Sequence, residues 1–317
     1  VKSSYSIKKF NGRFNIIKSK KNNNECSDCN KCEVKYKFLP NSFTESNDRN
    51  IETDFSLNGD ISVYRILFGQ TLSFKQFYNQ DSDLIFERIV ETVNILNLLY
   101  VNSILAIFTI DFVDQQIVTN SSVFNNQQGP SGSINGFLSL QSSIPDSRYE
   151  IAHLLDEGGD SGQAYLRSLC VNYQSVYPYH KAAGWTRTSN PEDDQLFVID
   201  YLSHEIGHQF NMNHPQQDSG SYACNGYLNI EPASGSTIMA YAGLCYYNVQ
   251  SNSDPYFNKK NIWEYWSYYR SSSINNCGDT IIVNGEVPEI DKSFETLNLP
   301  IGVPFELYTP VTNIEDA

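Results

Sequence analysis

The segment "LSHEIGHQFNMNHP", Leu202 to Pro215, constrains this chain more than any other, because it gathers three of only five histidines into eleven residues. His204 and His208 stand four residues apart. On a helix, four steps of about 100° bring a side chain back to within roughly 40° of its start, about 6 Å along the axis. Both imidazoles can therefore reach one ion. His214 lies six residues beyond His208, out of reach of the same helix, so the backbone must turn back after Phe210. The residue at that bend needs a left-handed conformation, which glycine adopts freely and asparagine tolerates next best. Asn211 has that job: it ends the helix and swings His214 onto the ion.

Glu205, beside the first histidine, can hold a water that a metal activates, the logic of an H-E-x-x-H helix. Three neutral nitrogens and one water leave the open position that a catalytic zinc needs. H-E-x-x-H alone arises by chance on many helices. A third histidine at the right offset after a helix-ending residue makes coincidence a poor account.

A length of 317 residues suits one sizeable catalytic domain with flanking segments. The net charge of −14 argues against nucleic acid as a partner, since phosphate binding needs a basic footprint. Residues 1–40 sum to +7 and the remainder to −21, so a basic, Asn- and Ser-rich head precedes an acidic body. The most apolar run, Ile89 to Ile110, is broken by Glu91, Asn94, Asn97 and Asn102 and reads as helix then strand rather than a membrane span. The chain opens with valine and shows no signal peptide, as expected of a processed or trimmed product whose targeting signal is out of view. Its single sequon, Asn120-Ser121-Ser122, matters only where the source glycosylates secreted proteins.

Seven cysteines form two groups. Cys170, Cys224, Cys245 and Cys277 are spread through the body, an even number suited to two disulfides and an oxidising compartment; four buried free thiols in a cytosolic protein are the alternative, disfavoured because Cys224 and Cys245 bracket one loop-rich stretch. Cys26, Cys29 and Cys32 cluster in the head as "CSDCNKC". They could bind a second metal, form a local disulfide, or supply a thiolate to the active-site ion. The last, a propeptide-like role, is favoured because the segment precedes the body and differs from it in charge.

Periodicity divides the chain into residues 1–58, polar and weakly patterned; 59–278, the catalytic domain; and 279–317, a proline-punctuated β-rich segment or linker. Within the domain "ISVYRILFG" reads as a strand, "DSDLIFERIVETVNILNLLY" as a long helix, and "SILAIFTIDFV" as a buried strand. "YEIAHLL" and "QAYLRSLCV" read as two more strands. A helix starts after "SNPEDD" and runs into the histidines, and "NIWEYWSYY" forms a last helix. Strand-helix-strand order gives an α/β or α+β fold.

"HEIGHQFNMNH" resembles the H-E-x-x-H-x-x-G-x-x-H zinc motif of metzincin metallopeptidases, with asparagine where the family usually has glycine. "SGSTIMAYAGLC" looks like the Met-turn beneath the metal, with Met239 as its methionine. With "GGDSGQAYL" and "DPYFNKKNIWEYW", the pattern is most similar to the reprolysin (adamalysin-like) family over roughly residues 60 to 278. The resemblance implies an α+β (α/β) domain: a mixed, mostly parallel sheet with an antiparallel edge strand in "HLLDEGGDSGQAYL", a long active-site helix and a Met-turn. His153 falls in that region and, like His180, reads as structural.

The resemblance further implies one catalytic Zn2+ ion on His204, His208 and His214, with nothing in the sequence bearing on calcium. It implies Glu205 as general base, disulfides Cys170–Cys277 and Cys224–Cys245, and a peptide substrate bound as an extended strand. Tyr241 matches a position where astacin-like and serralysin-like metzincins carry a tyrosine that reaches the metal; packing in the loop is an equal alternative. The implied function is a secreted, extracellular zinc endopeptidase. A non-cleaving adhesion module is disfavoured by the intact ligands and Glu205, and a zinc hydrolase of a non-peptide substrate by the Met-turn and glycine-rich edge.

Overall fold

The computed structural model describes residues 60–172, 180–217, 224, 226–269 and 277–283, together with the backbone alone of Arg270 and of four strand segments elsewhere. The chain divides into two units, Val1–Thr44 and Glu45–Ala317. In the first, β1 (Ser3–Phe10) and β2 (Arg13–Lys20) form an antiparallel hairpin closed at Phe10↔Arg13. Sequence analysis gives this region no elements, because the alternation of Tyr5 with Ile7 and Phe14 with Ile16 is diluted by lysine and serine. The intervening Asn11-Gly12 is a strong two-residue hairpin signal. Cys26, Cys29 and Cys32 lie outside the described residues.

The second unit begins with β3 (Ile61–Gln70), then α1 (Leu72–Phe77) and the 23-residue α2 (Ser82–Ile104). Asp81 caps α2 by accepting from Asp83 N and Leu84 N, satisfying amides that the first turn leaves open. The helix ends on Leu105 at φ 54°. β4 (Ala106–Thr109) is shorter than the predicted "SILAIFTIDFV" strand: Ile104 is still helical, and Asp111 caps α3 (Phe112–Asn120). α4 (Gly129–Ser139) follows.

β5 (Ile151–Glu157), β6 (Ser161–Ala164) and β7 (Gly184–Thr188) lead to a π-helical turn, Asp194–Leu202, which runs straight into α5 (Ser203–Gln209). α6 (Lys259–Tyr265) and β8 (Asp279–Ile281) come after the site loops, and β9 (Glu289–Ile290) pairs antiparallel with β10 (Val311–Thr312).

The sheet runs β4-β3-β5-β7-β6, with β8 antiparallel on the start of β3. The β3–β4, β3–β5 and β5–β7 pairs are parallel, and β6–β7 is antiparallel. The chain therefore has the expected mixed, mostly parallel sheet with one antiparallel edge strand. β8 starts at Asp279, so the first residues of the predicted 279–317 segment pair with the sheet.

The edge strand is narrower than "HLLDEGGDSGQAYL". β5 is buried along nearly its whole length because β3 and β7 flank it, whereas β6 alternates exposed and half-buried residues. His153 thus sits on an interior strand. "QAYLRSLCV" is not one strand: Arg167 at φ 62° and Cys170 at φ 67° are left-handed positions that end it.

Pleat alternation sends Tyr64, Ile66, Phe68, Ile151 and Leu155 into one core with α2, α5 and α6, while Leu67, Ala152 and Leu154 join a second core with Phe124, Ile134 and Phe137. Helices thus cover both faces, as a parallel sheet requires. No helix among the described residues is long and apolar enough to cross a membrane.

Candidate active site

α5 is held by its apolar side. Leu202, Ile206 and Phe210 are fully buried in the first core. Phe210 meets the rings of Tyr64, Tyr100, Phe108 and Tyr265 at centroid distances of 5.3–5.7 Å. The Tyr100 hydroxyl donates to Ser203 O at 2.9 Å, tying α2 to the first turn of α5. At the other end Gln209 Oε1 accepts from His153 Nδ1 at 2.8 Å, and His153 Nε2 accepts from the Thr186 hydroxyl at 2.8 Å. Burial lowers the pKa of His153 to about 4, against the opposing pull of Gln209, so it stays neutral and structural.

This frame aims His204 and His208 at one point. His204 Nδ1 donates to Ile238 O and His208 Nδ1 to Met212 O, each at 2.8 Å. Fixing the proton on Nδ1 leaves both Nε2 lone pairs free. His214 Nε2 lies 3.2 Å from His204 Nε2 and 2.9 Å from His208 Nε2. Burial, reinforced by mutual repulsion, depresses His204 well below the usual histidine range and His214 to about 3; burial takes His208 to about 4.

Three neutral imidazoles pointing lone pairs at one another repel unless a cation lies among them. Tetrahedral ligands about 2.0–2.1 Å from zinc would be about 3.3 Å apart, close to the separations here. Among the described residues these three form the one group of His, Cys, Asp or Glu arranged to hold a metal. The donor set fits zinc.

His214 arrives differently. Asn211, at φ 72°, reverses the chain, with Asn211 N donating to His208 O and Met212 N to Gly207 O. Its side chain gives a reason for asparagine over glycine: Oδ1 accepts from Arg167 Nε at 2.8 Å, and Nδ2 donates to Glu264 O at 3.0 Å. The Glu264 carboxylate then accepts from both Asn213 N, at 2.9 Å, and Asn213 Nδ2, at 2.7 Å. Asn261 Nδ2 donates to Asn213 O at 2.6 Å. One short helix, α6, therefore grips the whole arm that carries His214.

Glu205 is buried, and its Oε2 has no hydrogen-bond partner among the described residues. Desolvation raises its pKa to about 8; a dication held by the neighbouring imidazoles would favour the carboxylate. The carboxyl lies under β6: a Cβ at Gly162 would sit 2.4 Å from Glu205 Oε1, so only glycine leaves it room. Met239 is fully buried, and its sulfur occupies the space a Cβ on Gly207 would need, 2.3 Å away. Tyr241 lies over the imidazoles, its ring centroid 4.6 Å from that of His214 and 5.6 Å from that of His204. Burial and the charge of Glu205 raise its pKa to about 12, so the phenol keeps its proton at neutral pH.

The loop beneath is organised by Glu231, whose carboxylate accepts from Ser236 N, Thr237 N, Thr237 Oγ1 and Asn258 Nδ2 at 2.5–3.2 Å. That holds the strand of loop bearing Ile238 O and Met239. Cys224 is bonded to Cys245 and Cys170 to Cys277; the first bridge ties the loop after His214 to the loop after Met239.

Sequence reasoning missed Gly162, Glu231, Asn213, Asn261 and Glu264. The asparagine-rich "FNMNH" and "NKKNIWEYW" carried a faint signal for the last three, since buried amides need partners.

A family model described as metallo-peptidase family M12B, reprolysin-like, matches residues 61–265, more than half of the chain and the whole span from β3 to α6. The chain belongs to the reprolysin-like M12B family of metallopeptidases.

Proposed function

We propose that the chain is a secreted zinc endopeptidase in which His204, His208 and His214 hold one catalytic ion and Glu205 moves the protons. The observation that carries this reading is the convergence of three neutral Nε2 atoms beside a buried carboxylate whose Oε2 has no hydrogen-bond partner among the described residues. When bound, zinc supplies Lewis acidity that brings the pKa of a water to about 7 and polarises a carbonyl. Glu205 accepts the attacking water's proton at its carboxylate and returns it to the leaving amine. The Tyr241 phenol, protonated and close to the ligand rings, donates a hydrogen bond to the developing oxyanion. Met239 supplies an apolar floor and ligates nothing.

β6 gives the substrate its path. Among the described residues it ends the sheet, which leaves its outer backbone groups for an extended peptide that would add as a further strand. Such a peptide passes directly over Glu205, because Gly162 lies against that carboxyl. Secretion is supported by the two bridges, which persist in oxidising compartments.

The test is cleavage of an unfolded protein by the purified chain, with zinc content measured on the same samples. Activity should vanish with a chelator and return with stoichiometric zinc. Chelator-resistant cleavage would overturn the metal assignment, and zinc binding without any cleavage would point to a binding module.

A further inference from the structure

The outer side of α3 is the least explained surface of the catalytic unit. Its inner side is anchored: Gln115 Nε2 donates to Ile66 O at 2.7 Å, and Val118 is fully buried. The outward positions Val113, Gln116, Ile117 and Asn120 recur at helical spacing and so share one face. Val113 is 59% exposed and Ile117 38%. With Ser121 and Leu140 they line a shallow depression of about 470 Å³. Val113 and Ile117, neighbours at i and i+4, make a small apolar shelf on that face.

At the end of that shelf stands the chain's single sequon, Asn120-Ser121-Ser122. Asn120 and Ser122 are exposed. The Ser82 hydroxyl donates to Asn120 Oδ1, which orients the amide, and Nδ2 has no partner among the described residues. Val113 to Asn120 spans seven residues, about 10 Å along the helix, a length that a disaccharide covers. Pyranose rings present apolar C–H faces, which suit Val113 and Ile117, while Gln116 and Ser121 offer polar groups to their hydroxyls.

We propose that Asn120 is an N-glycan acceptor and that the first sugars of the glycan lie along the Val113–Ile117 shelf. The donor is an oligosaccharide joined through its anomeric carbon to a lipid diphosphate. Asn120 Nδ2 bonds to that carbon and loses a proton, the bond from carbon to diphosphate oxygen breaks, and the lipid diphosphate leaves; nothing is oxidised or reduced. The proposal rests on the reading of this chain as a secreted protein, since acceptor sequons act only in that route.

The test expresses the full chain behind a leader in a eukaryotic secretory host. Site occupancy is read by mass spectrometry of the Asn120 peptide before and after enzymatic glycan release, in both the medium and the lumenal fraction. The expected result is a released glycan with Asn120 converted to aspartate, and loss of that signal in Asn120→Gln and Ser122→Ala. The two variants should bind more of a hydrophobic dye, an increase abolished by adding Val113→Ser and Ile117→Ser. An unmodified Asn120 in protein that has both cystines formed overturns the proposal, including the case where the shelf instead joins two copies. A glycan on Asn120 of lumenal protein that never reaches the medium would overturn the secretory reading and leave the acceptor assignment standing. A glycan whose removal leaves dye binding unchanged would overturn the seating on the shelf.

Discussion

His204, Glu205 and His208 reach the site on a helix whose other side is buried in the core, whereas His214 reaches it on a short arm held by side-chain amides and one carboxylate. The helical half is fixed by Leu202, Ile206 and Phe210, by the ring contacts of Phe210, and by the Gln209–His153 link to the sheet. The arm owes its path to Asn211 in the left-handed region and to Glu264 and Asn261 on α6. Burial of apolar side chains is non-directional and spread over many contacts, so the first half should tolerate modest repacking. The second depends on a few directional bonds. Metal affinity should therefore be tunable from α6, fifty residues downstream in sequence.

Apart from Glu205 itself, the largest expected effect concerns Tyr241, which leans on the arm's histidine. Tyr241→Phe removes one donor with little change in volume, and should lower turnover by about a hundred- to a thousandfold, with substrate affinity nearly unchanged. Steady-state kinetics decides this. A change below about threefold would make the residue a packing element of its loop.

The helical half is challenged through pH. His153 titrates near 4 when folded and near 6.5 when unfolded, so the unfolded state takes up the proton first as pH falls. Its contribution is intact above about pH 6.5 and is lost as pH drops towards 4, by up to about 3 kcal/mol. Urea unfolding of the metal-free protein from pH 7 to pH 4 should lose stability more steeply in wild type than in His153→Gln. Parallel slopes would show that His153 is not held neutral.

For the arm, Glu264→Gln keeps the shape and removes the charge that accepts from Asn213. Partners that orient a ligand typically contribute 10- to 100-fold in metal affinity, and a loss in that range is expected in zinc competition assays, with the thermal midpoint of the metal-free form almost unmoved. An unchanged zinc affinity would sever α6 from the metal. Asn211→Gly should show the smallest effect. The backbone keeps its freedom, but two hydrogen bonds go, each about 1 kcal/mol net and shared between folding and metal binding, so zinc should weaken by less than about 30-fold. Asn211→Val adds about 1–2 kcal/mol of left-handed strain and should be worse. Equal zinc affinity in the two variants would mean that the bend does not govern His214.

The same contrast explains what could be read from the sequence. The 3.6-residue period of α2 and the four-residue step between the histidines are local, and the strand-like "ISVYRILFG" announced itself. α4 did not: "GPSGSINGFLS" has poor helix formers, yet Gly136 is required where Phe124 presses against the helix, its ring 2.1 Å from where a Cβ would be. The edge strand was blurred because Gly158, at φ 136°, joins β5 to β6 while β7, from 184–188, inserts between them in space. The contacts of Glu264 and Gly162 link positions roughly 40–50 residues apart, and no local period encodes them.

The central claim is that Glu205 moves protons beside a metal it does not bind. Its most direct test is the variant Glu205→Gln, assayed together for zinc stoichiometry and peptide-bond turnover. The account predicts one zinc per chain, an unchanged fold by near-ultraviolet dichroism, and turnover lowered by about a hundred- to ten-thousandfold. Near wild-type turnover at full zinc occupancy would contradict it, and so would loss of the metal, which would make Glu205 a ligand instead of a base.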